Sequence, residues 1–337
     1  MKLTLKDIKP ITLGTLDITE CDGNVCFSRF TDNQLEHYKN TNESFYKKAK
    51  HTASILMDFT TDSETLSFHY EVSEAATRTL HYFDIYENDM MILHIGADTL
   101  EVTGGDVNLK LGRGMKRIRI YFPFSQKTVL RDFTLDDGAA VIASERQLDA
   151  LILGDSITQG YDARYPSLSY VNLMTERYNL NYVNQSIGGE GFGGGVIGGE
   201  RVCDPDFIIV ALGINDWASR PFDTVERDAD DYFKKLSELY EGTPLIFISP
   251  IWINREGNDT SLIATVEMLE SVASSYGAHI IHGLDLVPHD KGMYSDGTHP
   301  TDLGFNEYAN RLFARLDGLV ELIKKTKEEK ANGLTVL

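Results

Sequence analysis

In the segment Ala150-Leu151-Ile152-Leu153-Gly154-Asp155-Ser156-Ile157-Thr158 of this 337-residue chain, an apolar run changes to small polar residues, and this change indicates the fold class. Its first four residues form a short apolar run typical of a strand buried on both faces. Glycine, aspartate and serine then make a turn, and a helix-bearing segment follows. Strand, turn and helix in this order build parallel α/β sheets. We therefore expect Ser156 at the carboxyl edge of a parallel sheet, where open α/β folds place their ligands.

The chain after residue 145 repeats this alternation of strand and helix. Further strands are predicted at Tyr182–Asn184, Phe207–Leu212, Leu245–Ser249 and His279–His282. Helices are predicted at Ser169–Tyr178, Thr224–Tyr240, Ser261–Tyr276 and Thr301–Ile323. Such alternation predicts a parallel sheet with helices on both faces. The charged tail after Ile323 is expected to fray.

Residues before 145 have a different character. Short runs rich in β-branched and aromatic residues alternate with turn signals, at Ser54–Phe59, Leu66–Val72, Leu80–Tyr86, Met91–Ile95, Val107–Leu111 and Ile118–Phe122. Strands at this spacing indicate an all-β sandwich or jelly roll. We predict this domain over residues 1–145 and an α/β domain over residues 146–337. The polar segment Gln34–Lys50 stays ambiguous.

Charge and cysteine usage limit the environment and the partners. The 51 acidic and 32 basic residues give a net charge of −19, which disfavours nucleic acid, anionic membrane surfaces and polyanionic substrates. The N-terminal residues lack the apolar stretch of a secretory signal, and no apolar run is long enough to span a bilayer. Three cysteines, Cys21, Cys26 and Cys203, favour free thiols and a cytoplasmic location, with a Cys21–Cys26 disulfide as the alternative. The sequence does not determine whether the chain forms a homo-oligomer.

A second motif, Asp296-Gly297-Thr298-His299-Pro300, precedes the last predicted helix. An aspartate three residues before a histidine, on one turn, can orient the imidazole and stabilise its protonated form. Such a base is what Ser156 needs to act as a nucleophile. The plainer interpretation, a helix N-cap beside a surface histidine, is compatible with this role because Thr301 can serve as the cap.

Two further segments supply hydrogen-bond donors at the carboxyl ends of strands. Asn215 lies in Gly213-Ile214-Asn215-Asp216, and the glycine-rich segment Asn184–Phe192 follows another strand. A side-chain amide and free backbone N–H groups at one sheet edge are the components of an oxyanion hole.

Taken in chain order, from Ser156 through the glycine-rich segment and Asn215 to Asp296 and His299, these four blocks resemble those of the SGNH (GDSL-like) serine hydrolases. The resemblance covers residues 146–323, with Glu190 standing where the family commonly has aspartate. It implies a flavodoxin-like three-layer domain and ester hydrolysis without a metal or organic cofactor. It further implies a triad of Ser156, His299 and Asp296, and an oxyanion hole of Ser156, Gly189 and Asn215. The β-rich domain resembles, less specifically, the jelly-roll modules of some carbohydrate esterases.

Other residues around the predicted site have competing interpretations. Aromatic side chains near the catalytic edge can bind sugar rings or wall an acyl pocket, although each is equally compatible with a core position. Together with Asp155, they are our candidates for substrate binding: Tyr161, Phe192, Trp217 and Trp252.

Two alternative ligand sites are disfavoured. Gly189, Gly191 and Gly194 fit a dinucleotide fingerprint, but the sequence after them does not read as a helix start. Residues His282, Asp285, His289 and Asp290 match no established zinc spacing. We expect no metal and no cofactor.

The sequence therefore predicts a serine esterase acting on short-chain esters of a sugar or oligosaccharide. The expected acyl group is acetyl. A lysophospholipase or thioesterase for longer acyl chains is the alternative among enzymes. An alternative outside the enzymes is a carbohydrate-binding protein with a vestigial esterase domain.

Overall fold

A computed structural model of the chain describes residues 1–195, 199–254 and 259–332. Two compact units divide the chain. The first consists of Met1–Glu145 and Arg164–Ser167, and the second of Arg146–Ala163 and Leu168–Leu337. Each unit has its own sheet architecture.

The first unit is built from antiparallel strands. They are β1 (Thr12–Leu13), β2 (Asp17–Cys21), β3 (Asn24–Ser28), β4 (Leu56–Thr61), β5 (Thr65–Ser73), β6 (His81–Glu87), β7 (Met90–Ala97), β8 (Gly104–Lys110), β9 (Lys116–Tyr121), β10 (Lys127–Leu135) and β11 (Ile142–Ala143). One sheet has the order β1-β4-β9-β6-β7, with β11 also paired to β4, and the other has the order β2-β3-β10-β5-β8. The strands of this unit therefore pair into two separate sheets.

A shared apolar core joins these two sheets. Along β5, buried residues alternate with more exposed ones, as expected for a strand with one face on a core. The ring of Phe68 on β5 lies 6.1 Å from that of Phe83 on β6, and Phe133 on β10 lies 6.2 Å from Phe59 on β4. Rings from opposite sheets thus interdigitate, which is the packing of a β-sandwich.

Short helices add to this unit: α1 (Leu5–Ile8), α2 (Asp32–Thr41) and α3 (Glu43–Ala49). The segment left ambiguous by the sequence is thus helical. Thr31 begins α2 with a capping box to Gln34, and the Asn42 side chain accepts from Phe45 N–H to begin α3. Few apolar residues mark these helices, so the capping residues are their clearest sequence signal.

The cysteines require a correction. Cys21 and Cys26 form a disulfide, with Cα atoms 6.2 Å apart, whereas free thiols were expected. The reason is local, because β2 and β3 form a hairpin through Asp22 and Gly23 and bring the two residues to neighbouring strands. Cys203 is a free thiol.

The second unit is an α/β domain. Its strands are β12 (Leu148–Gly154), β13 (Leu180–Asn184), β14 (Phe207–Ala211), β15 (Leu245–Ile248) and β16 (His279–Ile281). Its helices are α4 (Ser156–Gln159), α5 (Tyr170–Tyr178), α6 (Ile214–Ser219), α7 (Phe222–Leu239), α8 (Asp259–Ser275) and α9 (Asp302–Ala331). The strands are parallel in the order β13-β12-β14-β15-β16, and α5 packs on α9 while α7 packs on α8.

This strand order places the first and third strands of the unit side by side. In doubly wound sheets, ligands bind at the carboxyl ends of strands where the order reverses. Here that point lies between β12 and β14, directly before Ser156 and Asn215. The predicted fold class, a β-rich domain followed by a flavodoxin-like α/β domain, is confirmed.

The end of the chain differs from expectation. Helix α9 continues to Ala331 instead of fraying after Ile323. Lys327 holds this extension, since its Nζ lies 2.7 Å from Asp206 and 3.2 Å from Asp149. Among the described helices, none combines the length and the apolar character needed to cross a membrane.

Candidate active site

Ser156 occupies the first turn of α4, directly after β12. Asp155 caps this helix by accepting the Ile157 N–H at 2.9 Å, and Gly160 ends it in the left-handed region with φ +93°. Because the first N–H groups of a helix have no intrahelical acceptor, the Ser156 N–H is available to a ligand. A one-turn helix thus presents both a hydroxyl and a backbone donor at the sheet edge.

His299 links Ser156 to Asp296. Its Nδ1 lies 2.8 Å from Asp296 Oδ2, and its Nε2 lies 2.8 Å from Ser156 Oγ. An ionised carboxylate can only accept, so Nδ1 carries the hydrogen and Nε2 is the acceptor for the Ser156 hydroxyl. The hydrogen bond from His299 is the main reason that the pKa of the Asp296 carboxyl lies well below its usual range. Asp296 therefore stays charged beside the imidazole.

The turn that carries Asp296 and His299 is fixed from both sides. Asp296 Oδ1 accepts the N–H groups of Thr298 and His299, at 3.0 and 2.9 Å. Gly297 has φ +85°, and its carbonyl accepts the Asn254 N–H at 2.7 Å. Thr301 caps α9 by accepting from Gly304 N–H, so the helix cap and the acid–base pair coexist on one turn.

Gly189 lies in the loop that follows β13, the neighbour of β12. It has φ +92°, a conformation that glycine adopts without strain. The loop is anchored beside it, because Gly188 N–H donates to Gln159 at 2.7 Å and Glu190 N–H donates to the Ile187 carbonyl at 3.0 Å. Ser156, Gly189 and Asn215 thus follow three adjacent strands and share one edge of the sheet.

Asn215 begins α6 after β14. One hydrogen of its side-chain amide is donated to the Glu190 carbonyl at 2.9 Å. The amide has a second hydrogen, which the oxyanion role would use. The bond to Glu190 also fixes the glycine loop relative to Asn215.

Asp216 is a buried residue of this site that the sequence did not single out. Its Oδ2 accepts the Phe192 N–H at 3.1 Å, and its Oδ1 accepts from Arg220 at 2.7 Å. Arg220 also pairs with Asp228. Asn215 and Asp216 therefore hold the loop at two successive points, and the only sequence signal was their adjacency in Gly213–Asp216.

Asp155 does not match its predicted role in substrate binding. Its side chain is buried and caps α4, so it lies under the serine rather than at the surface. Burial raises the pKa of its carboxyl to about 7, despite the hydrogen bond from Ile157. Asp155 supports the nucleophile turn instead of lining the site.

The candidate aromatic residues occupy different environments. Phe192 is 1% exposed and packs against Tyr232 and Phe233, so it has the core position that was the alternative to substrate binding. The Tyr161 ring is buried 5.6 Å from the His299 ring. Trp217 is half-buried and donates to the Ser261 hydroxyl at 3.1 Å.

Trp252 is half-buried and stacks on His289 with ring centroids 4.6 Å apart. Its carbonyl accepts from the Tyr294 hydroxyl, which belongs to the segment leading to Asp296. Roles in substrate binding for Tyr161, Trp217 and Trp252 stay predictions.

The alternative ligand sites gain no geometric support. Over the described parts of the chain, the residues that bring three ligand atoms within 4.8 Å of one another are Asp162, Asp296 and His299, and not the His282–Asp290 segment. Both imidazole nitrogens of His299 are already hydrogen-bonded. The glycine loop continues into a 3-10 turn at Phe192–Gly194 instead of the helix that a dinucleotide site requires, and residues 196–198 lie outside the described residues.

Asp162 is the second residue that sequence reasoning missed. Its Oδ2 lies 3.9 Å from His299 Nδ1 and accepts from the Ser295 hydroxyl at 2.5 Å. No motif marks it, because its position depends on the turn that follows α4.

Comparison with known families agrees with this geometry. Residues 152–306 match the model of the GDSL-like Lipase/Acylhydrolase family, a range that includes Ser156, Gly189, Asn215, Asp296 and His299. No curated protein matches the chain.

Several solved structures are similar to this chain over most of its length. A salicylyl-acyltransferase, SsfX3, from a tetracycline biosynthetic pathway is 18% identical with a TM-score of 0.73, covering 91% of this chain and 94% of its own. A family two carbohydrate esterase from Cellvibrio japonicus is 15% identical with a TM-score of 0.62, covering 94% and 97%. The acetyl xylan esterase Est2A from Butyrivibrio proteoclasticus is 15% identical with a TM-score of 0.58, covering 80% and 90%. At these identities the likeness concerns the fold.

Proposed function

We propose that this chain, whose C-terminal domain belongs to the GDSL-like lipase/acylhydrolase family, is a serine esterase that removes acetyl groups from carbohydrate. The observation that carries the proposal is the continuous hydrogen-bonded path from Ser156 through His299 to Asp296, with both contacts at 2.8 Å. Family membership supports acyl hydrolysis in general. The carbohydrate and acetyl parts draw on the solved carbohydrate esterases with the same two-part fold.

The mechanism follows from the positions of these groups. His299 Nε2 takes the proton of Ser156 Oγ as the oxygen bonds to the ester carbonyl carbon. Asp296 stabilises the imidazolium, and the oxyanion is held by the N–H groups of Ser156 and Gly189 with the Asn215 amide. The C–O bond to the alcohol then breaks, and the imidazolium gives its proton to the departing oxygen.

The second half repeats these steps with water. His299 takes a proton from water as the water oxygen attacks the acetyl-serine carbonyl. Collapse of that intermediate releases acetate and returns the proton to Ser156 Oγ. Each step uses one base and one set of donors, so this mechanism requires no cofactor.

A chain-length series tests the substrate class. We expect kcat/KM to be highest for p-nitrophenyl acetate and to fall steadily toward the palmitate ester, with acetate released from acetylated xylo-oligosaccharides. A maximum at long acyl chains would instead favour the lysophospholipase or thioesterase alternative. Binding of xylo-oligosaccharides without turnover of any ester would favour the vestigial enzyme. Adding a second alcohol to the assay separates hydrolysis from acyl transfer.

The cellular location stays a prediction. Cytoplasm was inferred partly from free thiols, and the Cys21–Cys26 disulfide removes that part of the reasoning.

A further inference from the structure

Two carboxylates face the same side of His299. Asp296 Oδ2 lies 2.8 Å from Nδ1, and Asp162 Oδ2 lies 3.9 Å from the same atom. The nearer side chain is 43% exposed, whereas that of Asp162 is only 11% exposed. Solvent screens an exposed charge more than a buried one, so the longer distance of Asp162 is offset by its drier surroundings.

The backbone holds Asp162 in this position. It has φ +69°, the left-handed region that few residues other than glycine, asparagine and aspartate adopt readily. The preceding turn is tied to the nucleophile helix, because Tyr161 N–H donates to the Ser156 carbonyl at 2.9 Å. Ala163 N–H donates to the Gly160 carbonyl at 3.1 Å. The turn that follows Ser156 therefore also places the Asp162 carboxylate beside His299, the base that acts on Ser156.

Ser295, in the loop that precedes α9, fixes the Asp162 side chain. Its hydroxyl donates to Asp162 Oδ2 and lies within 3.3 Å of the His299 carbonyl. The carboxylate is thus held by a residue next to Asp296. The backbone conformation and the Ser295 hydrogen bond together fix the position of the Asp162 charge beside His299.

We propose that Asp162 is a positioning residue that, together with Asp296, stabilises the protonated form of His299. The inference rests on the proposed esterase function. When the Ser156 proton reaches Nε2, the imidazole becomes a cation with both carboxylates on its Nδ1 side. Asp296 accepts the Nδ1 hydrogen, and Asp162 contributes through its charge. Among the described residues, Ser156, the uncharged Tyr161 ring and the buried Asp155 also interact with or lie near His299.

The variant Asp162→Asn tests this assignment. Asparagine has the same shape and tolerates the left-handed backbone, so the substitution removes the charge with little strain. In the full-length chain, an NMR titration of the His299 imidazole should have a lower midpoint than in the wild type, because a negative charge that favours the protonated ring has been removed. The acidic limb of the kcat/KM profile should move in the same direction, and kcat should fall about tenfold.

Asp290→Asn is the matched control. Asp290 caps the 3-10 turn Lys291–Met293 by accepting the Gly292 N–H, so this change removes one charge from the adjoining loop. It should leave the His299 midpoint and kcat unchanged. A second comparison uses Asp296→Asn alone and combined with Asp162→Asn. Because Asp162 remains as a partial replacement, its loss should lower kcat more in the Asp296→Asn background than in the wild type.

The outcomes separate this inference from the proposed function. An unchanged His299 midpoint in Asp162→Asn would overturn the role of Asp162, even if kcat fell, because a purely structural defect would lower turnover alone. Equal loss of kcat in both backgrounds would also overturn it. The midpoint is measured without turnover, so it decides the role of Asp162 even if the wild type hydrolyses no ester, a result that would contradict the proposed function itself.

Discussion

Among single residues, the two carboxyl groups near Ser156, those of Asp155 and Asp296, lie in opposite environments. Asp296 is partly exposed and accepts three hydrogen bonds, which favour its ionised form. Asp155, adjacent to the serine in sequence, is buried and favours its neutral form. One carboxyl can therefore stabilise a cation while the other acts mainly as a helix cap.

The burial of Asp155 leads to a prediction about stability and pH. Its pKa is raised to about 7 from an ordinary value near 3.8, so between these values the native state holds a proton that the unfolded state has lost. The contribution of this group to stability therefore falls as pH rises from about 4 to about 7. Asp155→Asn keeps the cap acceptor without this loss. The melting temperature of the variant relative to the wild type should increase between pH 5 and pH 8, as measured by calorimetry.

Asp132→Asn is the control for that measurement. Lys2 holds the pKa of this exposed carboxyl below its ordinary value, so it is charged at both pH values, and asparagine tolerates its φ of +55°. Its effect on the melting temperature should be the same at pH 5 and pH 8. The same result for Asp155→Asn would contradict the buried, proton-binding state.

At the scale of the element, the sequence predicted strands wherever apolar residues form continuous or alternating runs. It missed β10, Lys127–Leu135, because its register shifts between Arg131 and Thr134, and Asp132 there has positive φ. It left the segment of α2 and α3 ambiguous, because their apolar residues are sparse. Helix α9 extends beyond its last periodic apolar residue because Lys327 pairs with two acidic residues that are distant in sequence.

The same difference, between residues that a local motif marks and residues that the fold brings in, applies to the candidate active site. Ser156, Asn215, Asp296 and His299 lie in short motifs at strand or helix ends, so local sequence was sufficient to select them. Asp162 reaches His299 only through a turn with positive φ, which no local pattern indicated. Phe192 was a candidate for substrate binding because it lies near the catalytic edge, but its ring packs against Tyr232 and Phe233 of α7.

The turn between β14 and α6 provides a test at this scale. Gly213 has φ +119°, and a Cβ there would lie 2.6 Å from the Leu269 side chain and 3.1 Å from Pro250. Gly213→Ala should displace Asn215 and lower kcat by about tenfold to a hundredfold, since small misplacements of such groups are costly. Gly242 has φ +77° in open space, so Gly242→Ala adds backbone strain without a clash. It should lower the melting temperature slightly and leave kcat unchanged; comparable activity of both variants would argue against the role of this turn.

At the scale of the whole molecule, the net charge of −19 acts on charged substrates over several ångströms. Two aryl acetates that differ by one charge and one methyl group measure this effect through the salt dependence of their rate ratio, with release of the phenol as the readout: 4-acetoxybenzoate and its methyl ester. We expect the neutral ester to have the higher kcat/KM in about 0.01 M salt. The ratio should shrink in about 0.3 M salt, because the screening length falls from about 30 Å to below 8 Å. A ratio independent of salt would mean that net charge does not select the substrate.

Covalent labelling with an activated alkyl phosphonate shows whether Ser156 is the nucleophile. The phosphonate phosphorus bonds to an activated serine oxygen and loses its leaving group, so the adduct marks the nucleophile. Mass spectrometry of the digested protein should find one adduct per chain, on the peptide that contains Ser156, with esterase activity lost in proportion and no adduct in Ser156→Ala. Full activity in a chain whose Ser156 is completely modified, or stoichiometric labelling at another serine, would contradict the account.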